Sequence, residues 1–401
     1  MIEHYAILIG SFMKKNRILI VANGIIGKDP GLSGGDVRFL ELAQYWLKQG
    51  QKVELLSSES AKDICRHFGI DIPIHIIPNI SHKSERTTYI FRTLQTCFIQ
   101  PKSLFNFEGI VYSVNDSIFD ILPALRLKLS NPKKIKWAAV IHWLPPFPPW
   151  KRKKTTLFNS VLFFINERIS VWLANFFADV LLPVSDSTAD QMCRAHLNMK
   201  KVYPVKCGVN FSQIRNLIKT VKQKKYDLVF MKRVQPVKGI FDFIEILEKI
   251  VVLKKDLKVI IIGGDGHDAE VIKQEVLNRN LNKHVEFAGY IFDQKIKFRK
   301  LAQGKLFILP SYEENWAIAI GEAMAAGLPV ISYDLPELNQ IWKNHVKWIP
   351  LGNTDLFAKT IINYLEDDSK LEPEILNNLH FIKDFDWKKI ALDELQILSR
   401  L

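Results

Sequence analysis

Leu306-Phe-Ile-Leu-Pro-Ser-Tyr-Glu-Glu-Asn-Trp-Ala-Ile-Ala-Ile-Gly-Glu-Ala-Met-Ala-Ala-Gly-Leu-Pro-Val-Ile-Ser-Tyr333 sets the fold. An apolar run (Leu306–Leu309) leads into a polar loop (Ser311–Trp316). A small-residue helical run (Ile318–Ala326) follows, stopped at Gly327, and then a second apolar run begins at Val330. The pattern reads as strand, loop, helix and parallel strand. Open parallel sheets bind ligands beyond the carboxyl ends of their strands, which is where this loop would lie. The free amides of the helix would face the same crevice, a place suited to phosphate. Two carboxylates bracket the loop, Glu314 and Glu322. Beside a phosphate site a carboxylate is better matched to the hydroxyls of a sugar or ribose than to the phosphate itself. The plainer alternative is a glutamate complementing the helix dipole and another on a solvated face.

These residues resemble the retaining GT-B glycosyltransferases of family 4. Their signature is two glutamates with seven residues between them, in a loop and helix followed by Ala-Met-Ala-x-Gly-x-Pro-Val. Glu314, Glu322 and Ala323–Val330 match that spacing. Where the family has Gly-Phe-Gly-Leu-Pro after the first glutamate, this chain has Asn315-Trp316-Ala317-Ile318-Ala319, so two glycines are replaced. The resemblance implies that Glu314 binds the transferred sugar and Glu322 the ribose, with Asn315, Trp316, Ala317 and Ile318 also at the donor.

Upstream, the strand Tyr226–Met231 runs into Lys232-Arg233-Val-Gln-Pro-Val-Lys238-Gly239 and a helix from Phe241 to Lys249. A fork-shaped Arg233 and a point-charge Lys238 between a strand end and a helix start can clamp a diphosphate. The element resembles the family's Gly-Arg-x-x-x-x-Lys-Gly, with Lys232 in place of the first glycine. Val285–Ile291 resembles the family's base-binding segment, which implies Tyr290 and Ile291 as donor contacts. Leu257–Gly266 ends in Gly-Gly-Asp-Gly, not the Gly-x-Gly-x-x-Gly of a dinucleotide site.

The first half repeats the architecture. Arg17–Ala22 is a buried-type strand, followed by a glycine-studded loop through Gly34-Gly35, a helix Val37–Lys48 and a strand Lys52–Ser57. Gly34 and Gly35 allow close backbone approach and resemble the family's Gly-Gly loop at the donor diphosphate. Gly109–Asn115 and Lys136–His142 are further strands, and His142 matches a family histidine near the reacting centre. Residues 59–108 show only short alternating elements.

The expected fold class is α/β, GT-B: two doubly wound Rossmann-like domains facing a cleft. Residues 1–208 form the acceptor domain, 209–225 a polar linker, 226–382 the nucleotide-sugar domain, and 383–401 a terminal helix returning to the first domain. At 401 residues, 48% hydrophobic and 24% charged, the chain is long enough for two cores and too apolar for disorder. Four scattered cysteines give neither a disulfide framework nor a zinc cluster, so a reduced, cytoplasmic setting is expected. Tyr5–Met13 is too short to span a bilayer and lacks a basic leader, so it reads as an extension before the first strand.

The net charge of +13 sits almost wholly in residues 1–210, with 27 Lys+Arg against 16 Asp+Glu. No RNA-binding or zinc-finger signature accompanies it, which disfavours nucleic acid. Trp143-Leu-Pro-Pro-Phe-Pro-Pro-Trp150 precedes the tetrad Lys151-Arg-Lys-Lys154 and an aromatic-rich run, 155–178, whose uncharged stretches are too short to cross a membrane. Rings beside a basic tetrad suit an interfacial anchor on an anionic membrane surface, on the cytosolic face. A core helix preceded by a solvated basic loop is the competing reading.

The implied activity is retaining transfer of a hexose from a UDP- or GDP-linked donor to a glycan or lipid-linked acceptor in cell-surface polysaccharide or glycolipid assembly. His142, Glu314, Arg233 and Lys238 are the catalytic candidates. No cofactor and no metal are expected, because protein cations can neutralise the leaving diphosphate. Two alternatives stay open: a nucleotide-sugar epimerase or hydrolase on the same fold, and a catalytically silent binding module.

Overall fold

The computed structural model describes residues 16–23, 32–78, 91, 93–96, 98–264, 267–367, 369 and 371–401. The segment Tyr5–Met13, most of the glycine-studded loop before Gly34, and Asp265-Gly266 lie outside the described residues.

Two six-stranded sheets carry the chain. The first holds β1 (Arg17–Ala22), β2 (Lys52–Ser57), β3 (Ile74–Ile76), β4 (Gly109–Ser113), β5 (Ile135–Ile141) and β6 (Val180–Pro183) in the order β3-β2-β1-β4-β5-β6. The second holds β7 (Tyr226–Met231), β8 (Val259–Ile262), β9 (Val285–Gly289), β10 (Gly304–Leu309), β11 (Val330–Tyr333) and β12 (Lys347–Ile349) in the order β12-β11-β10-β7-β8-β9. Every pairing is parallel. Counted from its own first strand, each sheet has the order 3-2-1-4-5-6, the doubly wound pattern whose switch point lies between strands 1 and 4. The central strands read as unbroken apolar runs because helices cover both faces, and Ile18–Val21 and Leu306–Leu309 have no exposed surface.

Residues 209–225, read as a linker from their polarity, contain the helix Phe211–Ile218. Its Ile214 and Ile218 are buried, and Arg299 donates to the Leu217 carbonyl at 3.2 Å, so this helix packs on the second domain. The terminal helix Trp387–Leu398 packs against the helix Gly34–Lys48. There the buried Arg38 guanidinium bonds Glu394 and, at 2.6 Å, the Tyr112 hydroxyl. Trp46 Nε1 donates to the Ala391 carbonyl at 3.1 Å.

Candidate functional site

A cavity of about 750 Å³ lies between the two sheets' carboxyl ends. It is lined by all thirteen of the residues singled out above: Gly34, Gly35, His142, Arg233, Lys238, Tyr290, Ile291, Glu314, Asn315, Trp316, Ala317, Ile318 and Glu322.

On the first-domain side, Ser33 and Asp36 close a capping box at the start of the helix Gly34–Lys48. At Gly35 a Cβ would lie 3.1 Å from His142 Nε2, so a side chain there would crowd the imidazole. Gly34 faces the other domain, with Ile318 Cδ1 3.7 Å from where its Cβ would be. His142 follows β5, and its backbone amide donates to Asp116 Oδ2 at 2.9 Å. Nε2 lies 2.9 Å from the Val114 carbonyl. A carbonyl only accepts, so Nε2 carries the proton and Nδ1 is the acceptor. Burial lowers the imidazole's pKa despite nearby Asp116, which favours the neutral ring.

On the second-domain side, β7 feeds the loop Lys232–Gly239. Gly239 has φ +73°, and a Cβ would collide with the Pro310 carbonyl, so only glycine lets this loop pass the end of β10. Glu314 is buried between two ammoniums. Lys232 Nζ donates to Oε2 at 3.0 Å, and Lys238 Nζ lies 3.1 Å from Oε1 while donating to the Glu313 carbonyl at 2.7 Å. Burial pushes the Glu314 carboxyl up, but Lys232 and Lys238 outweigh it and hold the group at about 2. Lys232 is lowered as well, mainly by burial: Glu314 only partly compensates, and Lys238 and Arg233 add repulsion. Arg233 is exposed to the cavity, and its charge reaches Asp36 across the cleft.

Ala317 occupies one of the two substituted glycine positions and still takes a left-handed conformation, φ 56° and ψ 64°, ahead of the helix Ile318–Ala325. The turn geometry is kept although the residue that makes it strain-free is gone. Trp316 is buried, and its carbonyl accepts from Trp342 Nε1 at 2.8 Å. Tyr290 reaches the Leu32 backbone across the cleft, and burial pushes its hydroxyl up to about 12.

Sequence reasoning missed several participants. Lys297 pairs with Glu322 at 2.8 Å. Arg152 forms a two-pronged ion pair with Glu313 across the cleft, 3.0 and 2.8 Å, and lies over the Phe163 ring. Lys154 pairs with Asp242 of the second domain at 3.2 Å. The tetrad is therefore not a free basic patch: two of its four cations tie the domains together, leaving Lys151 and Lys153 exposed. Run 155–178 forms the helix Leu157–Phe177, neither wholly core nor wholly exposed. It lines the cavity with Asn159, Leu162, Phe163, Asn166 and Glu167, while Phe158, Ile165, Ile169, Trp172 and Phe176 are each roughly half exposed. Among the described residues no helix is long and apolar enough to cross a membrane.

Comparison with known proteins agrees with this fold. Anabaena HepE, solved with UDP-glucose, superposes with a TM-score of 0.74 at 16% identity, over 96% of this chain and all of that one. Sucrose-phosphate synthase from Thermosynechococcus elongatus gives 0.74 at 16% identity over 96% and 99%. In sequence, the phosphatidyl-myo-inositol mannosyltransferase of Mycobacterium leprae is 24% identical over 162 residues, 39% of this chain and 41% of that protein. The 2-deoxystreptamine N-acetyl-D-glucosaminyltransferase of Niallia circulans is 30% identical over 115 residues, 29% of each. The matched regions thus span less than half the length of these relatives. Residues 214–378, the second domain with the helix leading into it, match Glycosyl transferases group 1, and the chain as a whole has the GT-B glycosyltransferase fold.

Proposed function

We propose that this chain is a retaining glycosyltransferase of family 4 that moves a hexose from a UDP- or GDP-linked donor to a glycan or lipid-linked acceptor in cell-surface polysaccharide or glycolipid assembly. The observation that carries the reading is the shared cavity in which Arg233, Lys238, Glu314 and Glu322 face Gly34, Gly35 and His142. In this scheme Arg233, Lys238 and the amides opening the helix Ile318–Ala325 take the donor diphosphate. Glu322 accepts from the ribose hydroxyls, and Glu314 from hydroxyls of the transferred sugar. As the glycosidic bond breaks, charge grows on the departing phosphate, and the fixed cations stabilise it without a metal. That phosphate then takes the proton of the acceptor hydroxyl on the same face, which yields retention. His142, neutral and oriented by Val114 and Asp116, presents Nδ1 as an acceptor at the reacting centre.

The test is a thermal-shift panel of UDP-, GDP- and ADP-sugars followed by transfer assays with Glu322→Ala and Arg233→Ala. Each variant should fold and lose most transfer, about 1.5–3 kcal/mol of transition-state stabilisation. Near-wild-type transfer by either would refute the donor assignment. One observation favours a second reading: Lys232 already occupies Glu314, as a module that binds nucleotide sugar without transferring it would tolerate. Nucleotide binding without turnover on any glycan or lipid acceptor would select it.

The site of action proposed is the cytosolic face of an anionic membrane. Support comes from the half-exposed apolar stripe of Leu157–Phe177, the exposed Phe147 and Trp150, and the exposed Lys151 and Lys153 beside them.

A further inference from the structure

The cavity is divided by charge. Its second-domain wall presents Lys232, Arg233, Lys238 and Lys297. Among the described residues, the first-domain wall presents one cation, Arg152, and that guanidinium is held by both carboxylate oxygens of Glu313. Apart from the His142 imidazole, the other polar side chains of that wall are amides, hydroxyls and carboxyls, among them Asn115, Ser117, Asn159, Asn166 and Glu167. Asn159, Asn166 and Glu167 come from one helix at offsets of seven and eight residues, so they share the face turned to the cavity.

We infer that the first-domain wall is a subsite for an uncharged, polyhydroxylated acceptor terminus, a neutral sugar ring, with Asn166 and Glu167 as its principal hydroxyl contacts. The inference rests on the glycosyltransferase reading and narrows it, since it assigns the cations that meet phosphate to the second-domain wall and the hydroxyl-reading side chains to the first. Amides and carboxyls pair with vicinal hydroxyls, donating and accepting at once, whereas a phosphate or uronate there would meet, among the described residues, no free cation to balance its charge. Asn166 Nδ2 donates to Glu167 Oε1 at 3.2 Å, which fixes both groups before a ligand arrives. Burial, with Asp116 nearby, holds the Glu167 carboxyl well above its ordinary range, so it serves hydroxyls as a neutral donor and acceptor. Asp116 acts on the backbone instead, where its Oδ2 accepts from the amides of His142 and Trp143, at 2.9 and 3.0 Å, and so positions the strand end.

The test is saturation-transfer NMR on the full chain with saturating UDP, using methyl glycosides of glucose, mannose and N-acetylglucosamine against methyl galacturonate and glycerol 3-phosphate. Neutral glycosides should bind and the two anions should not. Asn166→Ala should weaken the neutral probe about tenfold and Glu167→Gln less, with UDP affinity and melting temperature unchanged. Anions binding as well as neutral glycosides, or no loss in a folded Asn166→Ala, would overturn the subsite. Failure to bind any nucleotide, measured first in the same samples, would instead strike at the glycosyltransferase reading.

Discussion

Replacing Glu314 by Gln keeps the shape of the side chain and removes the carboxylate that Lys232 and Lys238 share. The wild-type carboxyl sits at about 2 instead of 4.5. At about 1.4 kcal/mol per tenfold change in equilibrium constant, that favours the ionised, folded form by about 3 kcal/mol. Gln cannot supply this, and two ammoniums are left beside each other under partial burial. The expected loss at pH 7 is therefore about 3 kcal/mol, or roughly 6–12 °C in melting temperature for a domain of this size. The folded-state value is depressed, so the contribution is complete above pH 4.5 and disappears as pH falls towards about 2. The gap between wild type and Glu314→Gln should close over that window. UDP brings back negative charge, so it should raise the variant's melting temperature more than the wild type's. Differential scanning fluorimetry across pH, with and without UDP, reads all three effects. A variant melting within about 2 °C of wild type at pH 7, with no larger response to UDP, would refute the argument that Glu314 neutralises this cation cluster.

Ala317→Gly should stabilise the protein by about 1 kcal/mol, seen as a higher melting temperature, because glycine adopts the left-handed turn without a Cβ penalty. An unchanged or lower melting temperature would show that the Ala317 methyl contributes more by packing than it costs in strain. Transfer should persist in excess EDTA, since Arg233, Lys238 and helix amides are proposed to neutralise the leaving group. Loss restored by magnesium or manganese would contradict that. The wild type should cosediment with anionic vesicles at low salt and dissociate as salt rises. Serine at Ile165, Ile169 and Trp172 should abolish this binding, and Arg152→Gln should not reduce it. Failure of the wild type to sediment would remove the membrane from the proposal.

The parts of this molecule legible in sequence are those written in local pattern. The apolar runs at Arg17–Ala22, Lys52–Ser57 and Tyr226–Met231 are strands with the expected bounds. The Gly34-Gly35 turn, the strand-end His142 and the two spaced glutamates all reach one cavity because parallel strands deliver their following loops to one edge. Strands of three residues, Ile74–Ile76 and Lys347–Ile349, are too short to show a period. Pairing between distant segments is illegible for a different reason. Lys232 and Glu314, within the second domain, lie 82 positions apart, and Arg152 and Glu313, across the cleft, lie 161 apart, so no window of sequence contains both partners. The basic tetrad looked like one unit because its charges are adjacent, yet the extended backbone at Arg152 sends neighbouring side chains to different surroundings.

The helix Leu157–Phe177 shows why composition alone could not choose between core and interface. An ordinary surface helix turns its large apolar side chains inward. Here the buried positions include Ser160, Ser170, Val171 and Ala174, mostly small, and Glu167, while Phe158, Ile165, Ile169, Trp172 and Phe176 face outward, most of them at spacings of three and four. Small inward residues let the helix lie close to the first domain and leave room for Asn159, Asn166 and Glu167 at the cavity. Large outward residues form a half-exposed apolar stripe along the helix. A stripe of this kind is a candidate interaction surface, and with Lys151 and Lys153 at its start it is what the proposed contact with an anionic bilayer would use. The same helix would then set how far the acceptor subsite stands from the membrane, so that the face reading hydroxyls and the face meeting lipid are held in fixed register by one turn of backbone.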